Sequence, residues 1–137
     1  MSSSTENSLS MATLLHMLTI KLSSSNFLVW RNQVSTMVLH QNWMRYVDGS
    51  YPVPSKTISS DNKEVVNPDY TTWFETDQLI LLLLHSSLSE EAMAEVLGLS
   101  SSREVWKALD SAYSNDSMER SQNLKDSLRQ LKKDERQ

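Results

Sequence analysis

The chain has 137 residues, 39% hydrophobic and 22% charged, with a formal net charge of −4. That size and composition suit one globular domain with one hydrophobic core. It has no cysteine, two glycines and three prolines, which excludes disulfides, thiolate zinc sites and thiol catalysis and argues against a β-rich chain with many tight turns.

Charge is unevenly spread. Residues 1–102 hold five Lys/Arg against ten Asp/Glu, and residues 103–137 hold eight against seven. An acidic chain is a poor electrostatic partner for nucleic acid, so binding to RNA or DNA through this region is not expected. The opening Met1-Ser-Ser-Ser-Thr-Glu-Asn7 has no basic, apolar leader pattern, and the longest apolar run, Leu79 to Leu84, is far short of the ~20 residues a bilayer requires. A cytoplasmic protein without membrane contact is expected.

Residues 1–10 are serine-rich and polar and read as a disordered tail, ahead of a domain over 11–137. A helix over Leu9 to Leu15 is only weakly patterned. Leu18, Ile20 and Leu22 alternate with Thr19 and Lys21, the period of an extended segment. Ser23-Ser-Ser-Asn26 offers helix caps, and Phe27, Trp30, Val34, Met37 and Val38 then share one helical face, which predicts a helix over about 26–40. A short helical turn over 42–47 follows. Asp48-Gly49-Ser50, Pro52 and Pro54 break the chain, and residues 55–66 read as a polar surface loop.

The next start signal is stronger. Asn67 is placed to cap, Pro68 sits at the first helical position and Asp69 lies in the first turn. This helix should run to about Ser86, with Tyr70, Trp73, Asp77, Ile80 and Leu84 on one face. Its end, Leu79 to Leu84, is apolar all round and should be buried on most sides. Ser89-Glu90-Glu91 opens a short helix closed by Gly98, and Ser101-Ser-Arg-Glu104 has the spacing of a capping box. The helix it starts carries Val105, Trp106, Leu109, Ala112 and Tyr113. Asn115-Asp116 is expected to end it, with Asp116 and Glu119 opening a last helix whose Leu124, Leu128 and Leu131 form a narrow stripe. The expectation is an all-α, bundle-like domain of about five helices behind a short extended segment. Its structural core is expected to hold Phe27, Trp30, Trp73, Ile80, Leu81, Leu84, Val105, Trp106 and Leu109.

No chemistry is marked. His16, His40 and His85 have no partner at a ligand spacing, and Asp77 and His85 lie about two helical turns apart. The chain lacks a nucleophile elbow, a phosphate loop and a dinucleotide fingerprint. Glu90-Glu91 reads as helix-start charge. The four tryptophans are not interleaved with basic residues and read as packing groups rather than base-stacking platforms. No catalytic residue, cofactor or metal is expected. The Leu124, Leu128 and Leu131 stripe suits either packing onto its own domain or self-association.

The ordered blocks Leu18-Thr-Ile-Lys-Leu22 with Asn26-Phe-Leu-Val-Trp30, Tyr46-Val-Asp-Gly-Ser50 with Pro52 and Pro54, Asn67-Pro-Asp-Tyr70 with Trp73 and Asp77-Gln78, Ser87-Leu-Ser89, and Ser102-Arg-Glu-Val-Trp106-Lys-Ala-Leu109 resemble the N-terminal capsid-like region of plant copia-type LTR retrotransposon Gag polyproteins. The stretch from Arg120 through Leu124 to Leu128-Arg-Gln-Leu-Lys-Lys133 resembles the approach to the second capsid half. The resemblance spans about residues 18–137. It implies a non-enzymatic self-assembly module, with itself and other Gag segments as partners, acting in a virus-like particle around retroelement RNA. The zinc knuckle, second capsid subdomain, protease and polymerase of such polyproteins are not in this sequence. The pattern stops at Lys133-Asp-Glu-Arg-Gln137 without a cap, as expected either of part of a longer Gag or of a truncated, domesticated derivative. The alternative function is therefore a domesticated adaptor that binds a host or pathogen protein without forming a shell.

Overall fold

The computed structural model describes residues 9–135, and for 115–122, 134 and 135 the backbone course alone. Helix α1 (Met11–Met17) is capped by Ser10, whose Oγ accepts from the Thr13 N–H at 3.2 Å, and it buries Leu14. Of the segment read as a disordered tail, residues 1–8 lie outside the described residues. Leu9 donates its N–H to the Gln41 Oε1 at 3.3 Å.

The extended reading of 18–22 has a structural counterpart. Leu22 is fully buried and pairs with Leu88 in a parallel bridge, donating to the Ser87 carbonyl at 2.8 Å and accepting from the Ser89 N–H at 3.1 Å. Leu18 and Ile20 pack against the core from the same side. Helix α2 (Phe27–His40) buries Phe27, Trp30, Val34 and Val38. Asn26 precedes it without capping it: its side chain accepts from Ser23 N–H and donates to the Lys21 carbonyl, fixing the turn ahead of the helix. Asn42, at φ +62°, turns the chain into α3 (Met44–Asp48), and Gly49 ends that helix at φ +82°, a left-handed conformation that glycine adopts without cost.

Residues 55–66 correct the loop reading. Thr57–Ser60 (β1) and Lys63–Val66 (β2) form an antiparallel hairpin, with Thr57 opposite Val66 and Ser60 opposite Lys63. Asp61 and Asn62 have φ of +51° and +63°, the signature of a two-residue turn that matches strand twist. The domain is therefore mostly helical with one small sheet, not all-α. All eight strand residues are exposed.

Asn67 serves two elements. Its N–H and Nδ2 bond the Lys56 and Ser55 carbonyls at the base of the hairpin, while its Oδ1 accepts from Asp69 N–H and caps α4 (Pro68–Ser86). Helix α4 buries Asp77, Ile80, Leu81, Leu83 and Leu84. Leu79 and Leu82 remain 37% and 53% exposed, so the end of α4 is covered on its inner side and not all round. Ser89 caps α5 (Glu90–Ala94) through the Ala92 N–H, and Gly98 turns at φ +84°.

From there the chain forms one helix, α6 (Ser102–Glu135), of 34 residues. The break expected at Asn115-Asp116 does not occur. Each of these residues costs a helix interior only a few tenths of a kcal/mol relative to alanine, and no glycine or proline is present to stop it. The helices after the hairpin are thus three rather than four. The core brings Leu22, α2, Val47 of α3, the inner face of α4, Leu88, Ala92, Val96 and the first three turns of α6 around Trp30.

Candidate interaction surface

The domain is built to hold α6 firmly at one end. Asp77, 2% exposed in the middle of α4, accepts from both the N–H and the hydroxyl of Ser102, the first residue of α6. A buried carboxylate at a helix start satisfies N–H groups that the helix leaves open and favours the positive end of its dipole. Ser101 adds a cap: its Oγ accepts from the Glu104 N–H at 3.2 Å and donates to the Glu104 carboxylate. On the other side Arg31 of α2 lies over the Trp106 ring at 5.8 Å and pairs with Asp110 at 3.3 Å. The Arg103 guanidinium occupies the space a Cβ on Gly49 would take, so only glycine lets α3 end there undisturbed.

Trp30 anchors the centre. It is 1% exposed, its Nε1 donates to the Ser87 carbonyl at 3.1 Å, and its ring meets those of Phe27 and Trp106 at about 6 Å. Phe27, Ile80, Leu81, Leu84, Val105 and Leu109 are buried with it. Two residues expected in the core lie elsewhere. Trp106 is half-buried and closes the core from outside, beneath Arg31. Trp73 is half-buried outside the core, stacked beside Tyr70 at 5.8 Å and lining a groove of about 520 Å³ with Val53, Pro54 and Lys56. That groove keeps the packing from reaching it.

Beyond the core α6 changes character. Tyr113 is its last described buried residue, and every described side chain from Asn123 to Lys133 is exposed. Leu124, Leu128 and Leu131 are 63%, 55% and 61% exposed. They do not pack onto their own domain, because the continuous helix carries them away from it. At 1.5 Å per residue the span from Ser114 to Glu135 is about 33 Å. An apolar stripe on an unsupported helix calls for a partner.

The remaining surface shows little that could do chemistry. Among the described residues no three His, Asp or Glu side chains gather as metal ligands. His40 Nδ1 bonds the Gln41 side chain, and no unusual acid–base pair surrounds it. A groove of about 390 Å³ between α1 and α2 is lined mainly by Leu9, Leu14, Met17 and Met37. No helix among the described residues is long and apolar enough to cross a membrane.

Residues 34–137 match the family described as the gag-polypeptide of LTR copia-type. The chain belongs to that family. This Gag domain is also similar to two polyproteins of Arabidopsis thaliana: it is 34% identical over 97 residues to the retrovirus-related Pol polyprotein from transposon RE2, and 32% identical over 113 residues to that from transposon RE1. Those stretches cover 71% and 82% of this chain but only 7% and 8% of the two polyproteins. No solved structure matches the Gag domain. Its place in the family gives it a structural, capsid-related role. The signals that sequence reasoning missed were Asp77 as the anchor of α6 and the continuity of α6. The first was legible as an acid on an otherwise apolar face, and the second as a stretch without glycine or proline.

Proposed function

We propose that this domain is an assembly module of a copia-type Gag, working through contacts between protein chains in a virus-like particle. The observation that carries this reading is the distal half of α6. It is a helix held rigidly at its root by Asp77, Ser101 and Arg31, and it presents Leu124, Leu128 and Leu131 to solvent. A rigid projection with an apolar stripe and charged flanks suits a helix–helix contact with another chain. Its partners are a second copy and other Gag segments. The acidic balance supports leaving RNA to other parts of a polyprotein, and no enzymatic step is assigned to this region. A cytoplasmic site of assembly fits this role.

The test is sedimentation of the full chain over a range of concentration. The parent should self-associate. Leu128→Asp places a charge in the stripe, where an unpaired buried charge in the contact is costly, and it should sediment as a folded monomer. Because Leu128 lies outside the core, its melting curve should match the parent's. A parent that stays monomeric at high micromolar concentration would refute the assembly reading.

A further inference from the structure

The charges of this chain are segregated along the fold. From Val65 to Ser102 there is no Lys or Arg and there are six acids, Asp69, Glu75, Asp77, Glu90, Glu91 and Glu95. All but Asp77 are exposed on α4 and α5. From Asn123 to Lys133 the balance reverses, with Lys125, Arg129, Lys132 and Lys133 against Asp126 alone. One end of the molecule is an acidic body and the other a basic rod.

The acidic body also carries an uncovered apolar stripe. Glu75, Leu79 and Leu82 follow one another at spacings of four and three, on the side of α4 away from Ile80 and Leu84, with Leu79 and Leu82 exposed. Leu97, after α5, is 74% exposed. Leu124, Leu128 and Leu131 repeat the same four-then-three spacing on α6. The rod cannot reach its own α4 face, because α6 is one unbroken helix rooted at Asp77 and pointing away beyond Tyr113.

Two rods pairing with each other are the other arrangement open to the stripe. Lys125 and Lys132 each follow a stripe leucine directly, so an antiparallel two-fold pairing sets lysine opposite lysine. Like charges at those flanking positions oppose pairing, whereas the α4–α5 face offers only acids.

We propose that the distal half of α6 of one copy docks on the outer α4–α5 face of a second copy, leucine stripe against Leu79 and Leu82 and basic flanks against Glu75 and the α5 glutamates. The contact is head-to-tail rather than two-fold. Each copy keeps one free rod and one free face, so the contact repeats into rings or open arrays. This inference rests on the assembly reading and specifies its geometry.

The experiment is a mixing test with full-length chains. Leu128→Asp disables the rod and leaves the face intact, and Leu82→Asp does the reverse. Both residues are exposed, and circular dichroism checks that each variant is folded. Each variant alone should be monomeric, and an equimolar mixture should form a dimer that grows no further. Parent association should weaken as salt is raised, because opposite charges are being screened. If Leu82→Asp unfolds, Glu75→Lys replaces it as the face variant. Assembly of a folded face variant to the parent's extent, a mixture that stays monomeric, or association that strengthens with salt overturns the head-to-tail contact while leaving assembly through α6 standing. A parent that is monomeric at every concentration and salt overturns both.

Discussion

Asp77 is the residue on which the placement of α6 depends. Replacing it with alanine leaves the buried Ser102 hydroxyl and N–H without an acceptor, which costs ~1–3 kcal/mol. Asp77→Asn keeps an acceptor and should lose less. Urea denaturation of the two variants checks both the size and the order of the effects. Tyr113 gives a pH signature. Burial first, then the nearby charges of Glu91 and Glu95, hold its phenol above the ordinary value of 10.0. A folded value raised above the unfolded one means that the contribution to stability is complete below about pH 10. It is lost as pH rises through the folded value. Tyr113→Phe cannot ionise, so its melting temperature should fall less steeply than the parent's above that pH.

At the level of elements, most of the fold could be read from periodicity and caps. The spacing of Phe27, Trp30, Val34 and Val38 outlines α2, and Asn67-Pro68-Asp69 fixes the start of α4. The hairpin was obscured because its strands are short and exposed on both faces, so Thr57, Ile58, Val65 and Val66 sit among polar neighbours without a buried alternation. Its one local signal was Asp61-Asn62, a pair that tolerates positive φ less freely than Asn-Gly. Asn62→Gly should therefore stabilise the hairpin by ~0.5–1 kcal/mol, seen as slower amide exchange in 57–66 while the helices are unchanged. The capping pattern at Asp116 misled for the opposite reason. A cap stabilises a helix start only where the preceding residue leaves helical geometry, and nothing in the sequence forces Asn115 to do so. The exposed leucine stripe was visible as a pattern. That it lies off the core was not, because its distance from the body depends on that continuity.

For the molecule as a whole, the core is complete once the chain reaches Tyr113. A version ending at Ser114 should keep a cooperative melt and lose self-association, which calorimetry and sedimentation on the same sample would check. The bond from Trp30 to the Ser87 carbonyl joins residues 57 positions apart, and the Leu22–Leu88 bridge closes the same ring of chain. Contacts of such long range are formed late, after the entropy of closing the loop has been met. During synthesis α1 and α2 leave the ribosome with Leu22 and Trp30 unpaired. They must wait for Ser87, Leu88 and Ser89 before either finds its acceptor. The rod of α6 is made last, so a nascent chain acquires its acidic face before its basic arm. Finished neighbours can then seat their arms on a chain that is not yet able to extend its own.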